Sequence, residues 1–514
     1  MSWGPKRTLI AGLTACLSAA SVYASGPDLA EPPPSRPGSA LDAPRAAAPI
    51  LTEPLAETTR DAIGLLLPTA TGLPRSLWSN SQAAEIVGLL RTIEAKGVPT
   101  ARRVFHRVLL SESDPPRGST EKADLLLARI DKLMDMGSID EAEAMISRAG
   151  RPDTDLFARL FDIALLTGRA DNVCRLMAND GDLSLGLASR TYCAVRNRDE
   201  VAARLSLRIG RSLEAIDPLR ANHLERFIDP QSFQEAPPLE VPTPYTALDH
   251  VIREALAMPR PLWGLEPAFL YSDLGRRAPL RDRILSSEQL SRSGDFPYHL
   301  LFSQYRARPA ATSGGVWERV AAVQALDEAL GGISTQRTLN ALQRADTALS
   351  TAGLRVALSQ AYGTVLMRLP LVGAQDRTMA EILLLAGQPV AATAWMPADA
   401  PLNLRIADAI ANPNRELDAI TLPPPRSDAD QRAVAAWAVF EGIPPGGALA
   451  EELQELVVNQ RTGEAILRAL MLLDAGTEID PGDFAAALQT LRATGRETDA
   501  RQIMVETVLT GTRW

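Results

Sequence analysis

The sequence predicts an all-α fold, an α-solenoid assembled from helix–turn–helix repeats. Three observations carry this expectation. Ala and Leu are abundant, aromatics make up only 5% and β-branched residues are sparse beside them, a mix that favours helix over strand by intrinsic propensity. From about Ala56 onward, apolar residues recur at helical intervals almost everywhere, with no sustained period-two alternation. The hairpin "LLLARIDKLMDMGSIDEAEAMISRAG" (125–150), two short amphipathic helices around Gly137, returns further along the chain.

The first element reads as an export signal. Lys6 and Arg7 form a basic start, an apolar stretch runs from Thr8 to about Ala20, and Val22 and Ala24 occupy the −3 and −1 positions of a small-residue cleavage site. Cleavage after Ala24 makes 1–24 a signal peptide. A second reading stays open: "LTAC" (13–16) resembles a bacterial lipobox, in which Cys16 would be lipidated and become the first residue. An uncleaved anchor is the third. All three place the body outside the cytoplasm, in the periplasm, free or tethered to a membrane through the N-terminus. Residues 25–55 are rich in Pro and Ala without helical periodicity, so they cannot bury enough apolar surface to offset their ordering entropy. They read as a disordered linker.

The N-terminal helical-repeat region is expected over 56–228. In "AAEIVGLLRTIEAKG" (83–97), Ile86, Leu89, Leu90 and Ile93 share one face, and "TARRVFHRVLLSE" (100–112) repeats the pattern before Pro115 and Pro116 stop it. Ser119 or Thr120 is positioned to cap the helix that ends at Gly137. After that glycine, Ala142, Met145, Ile146 and Ala149 line the next helix. The stretch 155–181 repeats the arrangement around Gly168, and 187–210 repeats it around Asn197, Asn being the next-best residue for a left-handed turn. Residues 229–312 are expected to form an irregular, Pro-rich connector with short helices, joining this region to a C-terminal helical-repeat region over 313–514. There the hairpin signature returns around Gly387 and Gly495, with another Pro-rich break at 421–428.

A repeat of about 30 residues is the length of a tetratricopeptide unit. The chain resembles a divergent tetratricopeptide-like α-solenoid over roughly half its length, with that family's aromatic consensus positions mostly absent. In style it also resembles exported proteins of alphaproteobacterial type. The resemblance implies an extended surface for peptides or protein segments.

Charge and motifs exclude several function classes. The net charge is −9 and the pI about 5.3, with no Lys/Arg cluster, which argues against nucleic acid as a partner. The four histidines, His106, His223, His250 and His299, have no second His or Cys at ligand spacing, and HExxH and GxSxG are absent. No metal or cofactor is expected. "STEK" (119–122) and "RTG" (461–463) match the SxxK and KTG patterns of penicillin-binding proteins, but that fold needs a sheet. "ESDPP" (112–116) resembles the catalytic Glu-Ser of lytic transglycosylases without that family's flanking Gly-Leu-Met-Gln element. Arg306 and Arg308 precede a Ser-Gly-Gly helix start that could hold an anion, although a loop with Ser313 as the cap is the simpler reading. The tryptophans at 78, 263, 317, 395 and 437 read as core, and Trp514 as a docking or fold-back residue.

Cys174 and Cys193 fall on adjacent helices of neighbouring repeats and are expected to form a disulfide. The function expected from these features is that of a non-catalytic scaffold or adaptor of the bacterial cell envelope, binding envelope proteins or peptides. The alternatives are a peptidoglycan-acting enzyme or an accessory subunit of an envelope machine. An enzyme would need a concave pocket holding a buried carboxylate of raised pKa.

Overall fold

A computed structural model describes residues 59–511, apart from positions 260, 262–264, 276–277, 293–295, 371–374, 413–426, 442–447 and 475–479. Cys16, Ala24, the 25–55 linker, Trp263, Trp514 and most of the 421–428 break lie outside the described residues. Within them the fold is all-α, with 25 α-helices and no strand. The first five helices are α1 (Pro68–Thr71), α2 (Ala83–Thr92), α3 (Pro99–Leu110), α4 (Asp124–Asp135) and α5 (Ile139–Arg148). They are followed by α6 (Thr154–Leu166), α7 (Ala170–Asn179), α8 (Leu187–Arg196), α9 (Glu200–Ser212) and α10 (Pro218–Ile228). Next come α11 (Ala247–Ala255), α12 (Pro267–Ser272), α13 (Leu280–Arg292), α14 (Tyr298–Tyr305) and α15 (Val316–Leu330). Then follow α16 (Thr335–Ser350), α17 (Arg355–Leu366), α18 (Arg377–Leu385), α19 (Pro389–Trp395) and α20 (Leu402–Ala411). The last five are α21 (Asp428–Glu441), α22 (Ala448–Val458), α23 (Thr462–Asp474), α24 (Pro481–Ala493) and α25 (Glu497–Thr510).

Five hairpins share one turn. At Gly137, Gly168, Gly387 and Gly495 the backbone is left-handed, with φ of +81°, +73°, +69° and +79°. In each, the next residue's N–H reaches back to the helix: Ser138 to the Leu133 carbonyl (2.8 Å), Arg169 to Ala164 (2.7 Å), Gln388 to Leu383 (2.9 Å) and Arg496 to Leu491 (2.7 Å). This is the Schellman bond that satisfies orphan carbonyls at a helix end. The turn after α8 has the same bond, Asp199 to Ala194 at 2.9 Å. Here the structure corrects the sequence expectation: Asn197 stays right-handed (φ −83°), and Arg198 takes the left-handed position at φ +61°. The bonding pattern, and not the residue type, sets which position is left-handed.

Helix starts depart further from the expectation. Neither Ser119 nor Thr120 caps α4, which begins at Asp124. Asp61 caps it instead: its Oδ1 accepts from the Leu126 N–H at 2.9 Å. Ser313 is not a cap either; Gly315, at φ +63°, precedes α15.

The packing closes on itself. Among the described residues, α3 packs on α4, α4 on α12, α12 on α13, α13 on α14, α14 on α17, α17 on α18, α18 on α25, and α25 returns to α3. The Pro-rich stretch 229–312 therefore supplies α12, α13 and α14 as links of this circuit. The seam joins residues nearly 400 positions apart. Gly463 N–H donates to the Leu77 carbonyl at 3.0 Å, and a Cβ at Gly463 would collide with the Trp78 ring. Asp474 accepts from the backbone N–H groups of Glu94 (2.7 Å), Gly97 (3.0 Å) and Lys96. Arg496 Nη1 donates to the Thr71 carbonyl at 2.8 Å. The hairpins α7–α10 form an arm beside the circuit: α9 packs chiefly on α8 and α10. Within it Tyr192 stacks on Phe227, and Tyr192 also meets Phe161 of α6 edge-on.

Candidate functional site

At the seam, α3 buries Ala101, Val104, Phe105 and Val108 in the core. That i, i+3, i+4, i+7 pattern turns Arg103, His106 and Arg107 to the opposite side. These three line a cavity of about 500 Å³ together with Thr100, Phe296, Pro297, Tyr298, Gln360, Gly387, Thr498, Asp499 and Gln502. Its walls therefore come from five separated stretches of chain.

Glu506 anchors this wall from behind. It is fully buried on α25. The Thr100 N–H donates to its Oε2 at 2.8 Å, and the Thr100 hydroxyl and Arg103 Nη2 donate to its Oε1 at 2.6 and 3.2 Å. The carboxylate thus serves as a remote cap for α3 and holds the Arg103 guanidinium, whose Nη1 donates to the Tyr298 hydroxyl at 3.2 Å. Burial keeps the Glu506 carboxyl above the usual carboxylate range, against the opposing pull of Arg103 and Thr100. A raised carboxyl near a cavity is the mark of a proton-transfer enzyme. Glu506, however, does not line the cavity, and both its oxygens are occupied. Asp499, which does line it, is paired with Arg107 at 2.6 Å. Gln360 and Gln502 each donate to the Leu385 carbonyl at 3.0 Å, which fixes the far wall. The His106 Nε2 atom is buried with no hydrogen-bond partner.

A second cavity, of about 690 Å³, lies at the base of the arm, lined in part by Asp140, Glu143, Arg169, Tyr271 and Ser272. Ser272 Oγ is 2.9 Å from His250 Nε2, and His250 Nδ1 is 3.2 Å from the Tyr245 hydroxyl. The spacing resembles a nucleophile–base pair, but the Ser272 hydroxyl donates to the Phe269 carbonyl at 2.7 Å. His250 therefore donates to Ser272, and the chain of bonds orients side chains instead of activating the serine.

The remaining residues singled out in the sequence are placed as follows. Cys174 on α7 and Cys193 on α8 sit at disulfide distance, with Cα atoms 5.1 Å apart. Trp78, Trp317 and Trp395 are buried, and Trp437 packs against the same core. Arg306 is held by Asp327 at 2.7 Å and Arg308 lies over the Trp317 ring, so neither addresses the start of α15 as an anion site would require. Glu112 pairs with Arg148 at 3.0 Å. His223 is buried, and Arg253 donates to its Nε2 at 2.8 Å. Among the described residues no group of His, Cys, Asp or Glu is arranged to hold a metal ion, and no helix is long and apolar enough to cross a membrane.

Sequence reasoning passed over Arg103, Arg107, Asp499 and Glu506. One signal for Glu506 was present: in "QIMVETVL" (502–509) it is flanked on both sides by apolar residues, a setting in which an ionisable group needs a partner. It passed over the outer face of α9 as well. Val201, Leu205, Ile209 and Leu213, spaced four apart, are 80, 54, 40 and 69% exposed. The inner face of the same helix buries Ala203, Leu207 and Gly210. No family model matches the chain, and no similar curated protein or solved structure is found.

Proposed function

We propose that this protein is a non-catalytic scaffold or adaptor of the bacterial cell envelope, exported by its N-terminal segment and docking a protein partner on the arm. The observation that carries the reading is the aliphatic row on α9. Singly exposed aliphatics are ordinary on protein surfaces, but a row along one helix face is the surface on which a second helix packs, ridge into groove. Arg204, Arg208 and Arg211 flank the row. Arg204 and Arg211 are partly neutralised by Glu200 (2.5 Å) and Glu225 (2.7 Å). The partner surface that fits is an amphipathic helix with an apolar ridge bordered by carboxylates.

Export is supported by the signal-like N-terminus and by the Cys174–Cys193 pair, a feature at home in an oxidising compartment. The tetratricopeptide-like reading is supported by the five equivalent turns. A binding role is favoured over a catalytic one because Asp499 and Glu143, one carboxylate in each cavity, are held in ion pairs with Arg107 and Arg169. The test is affinity capture of the full chain from crosslinked envelope, comparing wild type with the double variant Val201→Lys, Leu205→Lys. The same envelope proteins should be recovered reproducibly with wild type and lost with the variant. Recovery of the bait alone, together with turnover of cell-wall fragments, would sink the proposal. Metabolic lipid labelling of wild type and Cys16→Ser separates a lipid tether from cleavage after Ala24.

A further inference from the structure

We propose that the seam cavity between α3, α14, α17 and α25 binds a small organic acid carrying a ring, with its carboxylate on Arg107 and His106 and its ring against Phe296, Pro297 and Tyr298. The volume, about 500 Å³, lies within the range of about 300–1,000 Å³ in which proteins hold small molecules. The cavity has two chemically distinct sides. One is supplied by α3, where Arg107 gives Asp499 a single hydrogen bond from Nη2. A guanidinium carries five N–H groups, so Nε and Nη1 have no protein acceptor among the described residues. Beside it in the chain is His106, which also lines the cavity and whose Nε2 atom is buried and without a partner. A polar atom shielded from water and left unpaired costs free energy, which a ligand acceptor would recover. The other side is the Phe296–Pro297–Tyr298 corner, with Phe296 buried.

Three of the remaining polar side chains are committed. Arg103 is spent on Glu506 and Tyr298, and the two glutamines on Leu385. Beside the Asp499 carboxylate, which takes one Arg107 N–H, the cavity offers a donor pair at one end and an apolar corner at the other. A carboxylate with a ring satisfies both, and a planar two-oxygen anion is the group that a guanidinium holds best. The donor side of the site is carried by α3, which the seam holds in place through Glu506.

The test is ligand-observed NMR and calorimetric titration of the full chain with 3-phenylpropanoate, using 3-phenylpropanamide as the uncharged control. The acid should bind saturably and at least about tenfold more tightly than the amide. Thr498→Trp, which fills the cavity from an exposed position, and His106→Gln should each weaken binding of the acid by about tenfold while the melting transition is retained. Arg107→Gln should remove the preference for acid over amide. If Arg107→Gln does not fold, the first two variants decide. No saturable binding of the acid, equal binding of acid and amide, or unchanged affinity in both Thr498→Trp and His106→Gln overturns the proposal.

Discussion

At the seam, where α2 and α3 meet α23 and α25, charged groups are buried and aliphatics are covered. On the arm the reverse holds: ion pairs lie at the surface and a row of aliphatics is open. The seam contains Glu506, fully buried and holding three donors, together with the half-buried Asp474, which gathers backbone N–H groups from across the chain. The arm carries Val201, Leu205, Ile209 and Leu213 outward. Buried charges contribute geometry more than stability, because their attraction is largely offset by desolvation. Exposed aliphatics contribute nothing to the isolated fold and favour association. The difference assigns the two regions different work: the seam fixes a shape, and the arm presents a surface.

Glu506 is where the seam depends most on a single side chain. Glu506→Ala leaves Arg103 and the start of α3 without their anion and should cost about 3–5 kcal/mol in urea unfolding. A loss under about 1 kcal/mol would mean that the seam does not depend on this carboxylate. Next comes the arm's crosslink. Cys174→Ser with Cys193→Ser should cost about 3 kcal/mol in the chain-entropy model. In denaturant without reductant, full thiol labelling of wild type would rule the bond out.

A third measurement concerns pH. Asp162 on α6, at the root of the arm, is raised by burial from 3.8 to about 6. The folded state therefore holds this proton more tightly than the unfolded state does. Its contribution is present below about pH 4 and is lost as pH rises through about 6. Asp162→Asn should flatten the stability profile between those values and raise stability at pH 7 by about 1–3 kcal/mol. An unchanged profile would contradict this environment for the carboxyl.

Smaller still is the turn after α8. Arg198→Gly should gain about 1 kcal/mol, because glycine has no penalty at positive φ. Gly168→Ala should lose about as much, since the space around that glycine is open and only backbone strain is added. Equal stabilities would show that the two turns are not equivalent. Smallest in stability terms is the aliphatic row. Val201→Lys with Leu205→Lys should shift unfolding by no more than about 0.5 kcal/mol, although it removes the proposed docking surface.

Local order was legible in the sequence because each helix declares its own buried stripe. Ile86, Leu90 and Ile93, or Ala142, Met145 and Ile146, can be paired with a core without knowing what lies across from them. The glycine turns were legible for the same reason. Closure was not. Asp61 caps α4 from 65 residues away and Glu506 caps α3 from 406 away, so local capping rules pointed to Ser119 instead. Nor could spacing tell which stripe of α9 meets α8 and α10. The helix has two, Ala203–Leu207 and Val201–Leu205–Ile209, and only the packing decides between them. The seam cavity inherits this problem, since its walls come from residues near 100, 297, 360, 387 and 500.

The most direct test is site-specific photocrosslinking from the full chain in living cells. A photoreactive residue at Leu205, on the row, is compared with one at the exposed Gln343 on α16. The expected result is a discrete adduct with an envelope protein from position 205, lost when Ile209→Lys is added, and none from 343. No adduct from position 205, or the same adducts from both positions, would contradict the account that the arm is the docking surface.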